Sequence, residues 1–163
     1  MKVIQWLAVL GVVVCCYALH VEHQTASHKL MGQEYEALCD IKWLGVSCSK
    51  VFESKYGKML SLFGIVPHGH PLDLPNAALG LLFYICTIIL PYVKFLSKEV
   101  KATIMLLAST LSCAVCVYLA CILAFVLKDF CIVCASTYVV NALVFIQSMR
   151  DYCNVGSVKA HPQ

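Results

Sequence analysis

The chain has 163 residues, 61% of them apolar and only 13% charged, with a formal net charge of +3 and a mean hydropathy of +0.81. Soluble domains are about 45–50% apolar and about 25% charged, which excludes a disordered chain, a nucleic-acid binder and nearly every soluble fold. Eleven cysteines cannot all pair within one chain, and so apolar a sequence has no need of the staples that small secreted domains use. The composition is that of an all-α membrane protein.

A membrane helix needs about 20 mostly apolar residues to cross the hydrocarbon core. Four charge-free stretches qualify: 3–21, 74–93, 102–127 and 130–149. They predict a four-transmembrane-helix bundle forming a single domain over residues 1–163. The first run is longer than the apolar region of a signal peptide and no small-x-small site closes it, so it is read as a retained span. Pro75 suits the opening turn of the second helix, and Pro91 near its other end marks a stop or a kink. Lys128-Asp129 alone separates the last two spans, which predicts a tight hairpin.

An even number of spans places both termini on one side. The long loop 22–73 and the turn at 128–129 then lie on the other. Cys39 and Cys48, in that loop, therefore share a face with Cys131 and Cys134 at the start of the fourth helix. Lys and Arg divide equally, six on each side, but the terminal side carries its six on much less loop. The positive-inside bias thus points to cytosolic termini. The cysteine face is then lumenal and oxidising.

The cysteines sort by environment. Cys15, Cys16, Cys86, Cys113, Cys116 and Cys121 lie well inside helices, where cysteine behaves as a small hydrophobe. Cys131-Ile-Val-Cys134 falls instead at a helix start, where unpaired N–H groups and the macrodipole favour a thiolate. The i, i+3 spacing puts both sulfurs on one face, which continues through Tyr138 and Asn141. One sulfur is then expected to meet aqueous donors and the other a lipid-soluble substrate. A structural disulfide or simple packing also fits the spacing. Tyr138 and Asn141 either bridge helices or serve a pocket, since unsatisfied polar groups in hydrocarbon are expensive. Asn76 lies at the same end of the second helix, and Phe83-Tyr84 offers flat apolar walls for a ring.

In the loop, Cys39 and Cys48 are close enough to bridge or to exchange with Cys131. After them Phe52, Tyr56, Met59 and Phe63 recur at helical spacing, predicting a short amphipathic helix lying in the membrane interface. His68-Gly-His70 has no Cys or carboxylate beside it at metal-ligand spacing, and no phosphate-binding glycine loop is present. No metal and no tightly bound cofactor are expected.

The stretch Val117-Tyr-Leu-Ala120 through Lys128-Asp-Phe-Cys-Ile-Val-Cys134, followed by Thr137-Tyr138, resembles the vitamin K epoxide reductase family of four-helix membrane enzymes. Leu38-Cys-Asp40, Ser47-Cys-Ser-Lys-Val-Phe52 and Asn76 ahead of Gly80-Leu-Leu-Phe-Tyr84 extend the resemblance over nearly the whole chain. It implies a reductase of vitamin K epoxide and quinone, in which Cys134 reacts with the substrate and Cys131 is its disulfide partner. It further implies that Cys39 and Cys48 relay electrons from a lumenal thioredoxin-like protein. By the same resemblance Asn76 and Tyr138 hydrogen-bond the substrate oxygens, and Phe52 and Phe83 line the pocket. Members sit in the endoplasmic reticulum membrane and bind coumarin inhibitors such as warfarin. Two departures stand out. One residue more separates Cys39 from Cys48 than in the animal enzymes, and Asp73-Leu-Pro-Asn76 replaces the usual Asn-Gln-x-Asn.

Two other readings fit parts of the sequence. A quinone-dependent oxidase would run the same thiol chemistry backwards to generate disulfides, since direction follows potentials and supply. A non-enzymatic tetraspan scaffold would explain a structural Cys39–Cys48 bridge but not Cys131, Cys134 and Tyr138.

Overall fold

The computed structural model describes residues 2–31, 51, 55–62, 64, 67, 70 and 73–160. Every regular element among them is helical: α1 (Lys2–Leu30), α2 (Met59–Leu62), α3 (Asn76–Ile89), α4 (Lys98–Cys121) and α5 (Ile132–Ala160). Cys39, Cys48 and Phe52 lie outside the described residues.

Three of these helical stretches are long and apolar enough to cross a membrane: Lys2–His28, Lys98–Leu127 and Ile132–Gly156. The fourth apolar stretch, Asn76–Tyr92, is shorter. Prolines trim it at both ends. Pro75 is held extended at ψ 149° and serves as the N-cap rather than the first turn. At the other end Pro91 sits in a single 3-10 turn, Leu90–Tyr92, where its carbonyl accepts from Lys101 Nζ at 3.0 Å.

The other helices outrun the apolar segments that predicted them. α1 continues past residue 21 because neither Gly nor Pro interrupts the following polar stretch, and the Thr25 and Ser27 hydroxyls bond back to Val21 O and His23 O. α4 starts four residues before its apolar run because Ser97 caps it, accepting from Val100 N at 3.3 Å. At its far end α4 widens into a π-helical turn, Ile122–Leu127. Lys128, at φ 53°, then stops it in the left-handed region, which costs a residue bearing a Cβ. The expected hairpin follows, and α5 runs back along α4.

The main packing partners are α1 with α3, α1 with α5, and α5 with α4. The helices thus follow one another in the order α3, α1, α5, α4. The surface pattern is the reverse of a soluble protein's. Trp6, Val13, Leu107, Leu111, Val117 and Val139 are well exposed, whereas small residues such as Ala8, Ala18, Ser109 and Ser148 are buried between helices. Small residues at contacts and large apolar ones outward is how helices pack within a bilayer. The Ser109 and Ser148 hydroxyls are satisfied by carbonyls of their own helices.

The continuous amphipathic helix expected around Tyr56 and Met59 is not what the described residues form. A 3-10 turn, Lys55–Gly57, precedes the single turn of α2. The reason is competition for the backbone. Asn76 accepts from Met59 N at 2.9 Å and donates to Tyr56 O at 2.7 Å, taking the two groups that a continuous helix would use internally.

A thiol-lined cavity as candidate active site

A cavity of about 590 Å³ lies among α1, α3, α4 and α5, with Val51, Tyr56, Gly57, Met59 and Leu60 along its rim. Its walls are overwhelmingly apolar, and Cys134, Tyr138, Asn76 and Phe83 all border it. The structure therefore gathers four of the residues singled out from sequence around one space.

The two cysteines of the pair differ sharply. Cys131 is not within the first turn of the helix, as its spacing suggested, but is the residue just before it. Its carbonyl accepts from Ala135 N at 2.9 Å and its sulfur from Cys134 N at 3.3 Å. The thiol thus takes the place of the Ser or Asp side chain that commonly caps a helix. Nor does Cys131 face water. It is wholly enclosed, among Ala18, Val21, Leu123 and Val133, with Val51 and Cys134 against the same cluster. Cys134 is half-buried and borders the cavity. Thr137 fixes this turn, its hydroxyl lying 2.8 Å from Cys134 O and 3.0 Å from Val133 O.

Tyr138 follows one turn below Cys134. Deeper still, Asn141 acts as a bridge between helices. Its Oδ1 accepts from Tyr84 OH at 2.9 Å, and its Nδ2 donates to Cys116 Sγ at 3.0 Å. Its backbone carbonyl accepts from Cys113 Sγ at 3.6 Å. Tyr84, fully buried, exists there only because residue 11 is glycine, since a Cβ at that position would collide with its ring. Phe83 lies beside it, ring centroids 5.3 Å apart and tilted by 59°.

Lys58 pairs with the buried Asp73 across 3.8 Å, and Glu22 of α1 borders the cavity. Sequence reasoning passed over Glu22, and it read Cys15 and Cys116 as packing, although both sulfur-bearing residues border the cavity. A signal for the α1 face was present: Cys15, Ala18 and Glu22 are spaced to share one stripe of a helix.

These features define a class: a helical protein of membrane-spanning composition with a CxxC thiol opening into an apolar cavity. Comparison with known proteins carries the assignment further. The profile of the vitamin K epoxide reductase family matches residues 2–149. The chain is also 36% identical over 148 residues to vitamin K epoxide reductase complex subunit 1 of Rattus norvegicus, covering 88% of this chain and 85% of that protein. The Mus musculus protein of the same name matches to the same extent. The chain belongs to the vitamin K epoxide reductase family.

Proposed function

We propose that the protein is a membrane thiol–disulfide oxidoreductase that reduces vitamin K epoxide to the quinone, and the quinone to the hydroquinone, with electrons from dithiols. The observation that carries this reading is the convergence of Cys134, Tyr138 and Asn76 on one apolar cavity of a size that suits a ring-shaped, lipid-soluble ligand. Cys134, as thiolate, forms a bond to a ring carbon while Tyr138 and the second amide hydrogen of Asn76 donate to the substrate oxygens. The Cys131 sulfur then attacks Cys134 Sγ. The Cys131–Cys134 disulfide forms, the carbon–sulfur electron pair returns to the ring, and two electrons have passed. From the epoxide, the opened oxygen departs as water and leaves the quinone; from the quinone, the product is the hydroquinone. Electrons come from thiols, so no bound cofactor or metal is required.

Cys39 and Cys48 recharge the pair in this proposal, receiving electrons from a lumenal thioredoxin-like partner and passing them to Cys131. Chain geometry favours that step. Val51 packs against the cluster around Cys131, and Cys48 stands three residues before it in the sequence. Phe52 and Phe83 flank the substrate ring, and coumarins of the warfarin type compete for the same donors. The chain forms one domain of four spans in the endoplasmic reticulum membrane, with cytosolic termini and the cysteine face lumenal.

The test is epoxide turnover by the purified chain with dithiothreitol. The wild type should form quinone and hydroquinone, and Cys134→Ala should form neither. Residual turnover above about a tenth of wild type in that variant removes Cys134 from the chemistry.

A further inference from the structure

Among the described residues that border the cavity, Glu22 is the only one with a formal charge. A carboxyl group bordering an apolar cavity is expensive to keep charged and marks function more often than packing. Its position along α1 is specific. Ala18, one turn away, and Val21, its neighbour, belong to the cluster that encloses Cys131, with Cys134 packed against it. Glu22 is therefore the next residue of α1 toward the rim from the thiol pair. Lys58 lies near enough to act on it electrostatically, while the ammonium's own ion pair is with Asp73. The remaining titratable groups bordering the cavity are Tyr56, Tyr84, Tyr138, Cys15, Cys116 and Cys134.

The thiol chemistry of the preceding section, on which this inference rests, has protons to move as well as electrons. One dithiol and one epoxide become one disulfide, one quinone and one water. Two electrons leave sulfur for the ring, and both thiol protons end on the departing oxygen. The proton of Cys131 must leave as its sulfur attacks Cys134, and an oxygen anion must gain one, inside a space with little water. We propose that Glu22 is the proton-transfer residue of this cavity. Its carboxylate accepts the proton released by the thiol pair, and its carboxylic acid returns that proton to the substrate oxygen. The carboxyl group is unchanged after each turnover, so the balance closes without a further reagent.

The experiment compares the purified full-length wild type with Glu22→Gln, Glu22→Asp and Glu22→Ala, using vitamin K epoxide and dithiothreitol, with melting temperatures on the same samples. Glu22→Gln should lower kcat at least tenfold with KM changed less than twofold, and Glu22→Asp should recover part of the loss. Added formate should restore turnover to Glu22→Ala in proportion to its concentration and leave the wild type unaffected. A folded Glu22→Gln that turns over at the wild-type rate overturns the proposal. So does a loss confined to melting temperature or KM, or a folded Glu22→Ala that formate does not rescue. If Glu22→Gln fails to fold, the formate series on Glu22→Ala and the partial recovery in Glu22→Asp decide by the same criteria. An active wild type with an inactive Cys134→Ala leaves the thiol reading standing whatever Glu22 does, whereas an inactive wild type overturns both.

Discussion

Asn76 and Tyr138 border the same cavity, yet they are held differently, and the difference separates their variants. The Asn76 amide is already engaged twice by the backbone of Tyr56 and Met59, so it clamps the rim segment onto α3 as well as facing the cavity. Asn76→Ala leaves a backbone donor and acceptor without their partner, and a buried polar group so orphaned costs about 1–3 kcal/mol. This variant should therefore show both a lowered melting temperature and a turnover reduced by about 10²-fold, the usual scale for a lost oxyanion donor. Tyr138→Phe keeps the ring in place and should reduce turnover on the same scale with the melting temperature nearly unchanged. Epoxide turnover and thermal melts on the same preparations check both. The sequence made both residues visible as polar groups at one end of apolar helices. It did not show the clamp, because Asn76 reaches partners 17 and 20 residues away.

Elements show how close packing sets the cavity floor. α1 and α3 approach closely enough for Tyr84 to fill the space beside Gly11, and from there its hydroxyl reaches Asn141 on α5. Gly11→Ala forces the ring to move and strains the joint of three helices. Overpacking of this kind costs about 1–3 kcal/mol, so the variant should melt at a lower temperature. Its loss should not add fully to that of Tyr84→Phe, because the two changes act on one contact. A double-mutant cycle of melting temperatures measures this. At the start of α5, the π turn before Lys128 and the cap made by Cys131 together set where the helix begins. That boundary decides which way the two sulfurs face. Spacing alone put both on one stripe, whereas the start of the helix one residue later turns Cys131 into the protein interior.

At the scale of the molecule, the large apolar side chains outside and small ones inside suit a bilayer. The proposed relay depends on that setting, because it needs the loop cysteines and the thiol pair on one face of the membrane. Cys39→Ala should retain turnover with a small membrane-permeant dithiol and lose most of it with a protein thiol donor. Equal loss with both reductants would contradict the relay. Assays with dithiothreitol and with a reduced thioredoxin-like protein on the same variant make the comparison.

The sequence by itself determined what depends on neighbours along the chain. Four apolar runs, the prolines at 75 and 91 and the Lys128-Asp129 break establish which segments are helical and where they turn, since hydrogen bonding and propensity act over a few residues. The stretch around Cys131 and Cys134 likewise carried the family resemblance. The tertiary structure alone decided what depends on which faces meet. Only the packing of α1, the π turn that ends α4 and the start of α5 encloses Cys131, and only the approach of α3, α4 and α5 joins Tyr84, Asn141 and Cys116. Glu22 illustrates the division most plainly. Read along the chain it is the first polar residue after an apolar run; its place on the wall that Cys134 also borders exists only once four helices have closed around a common cavity.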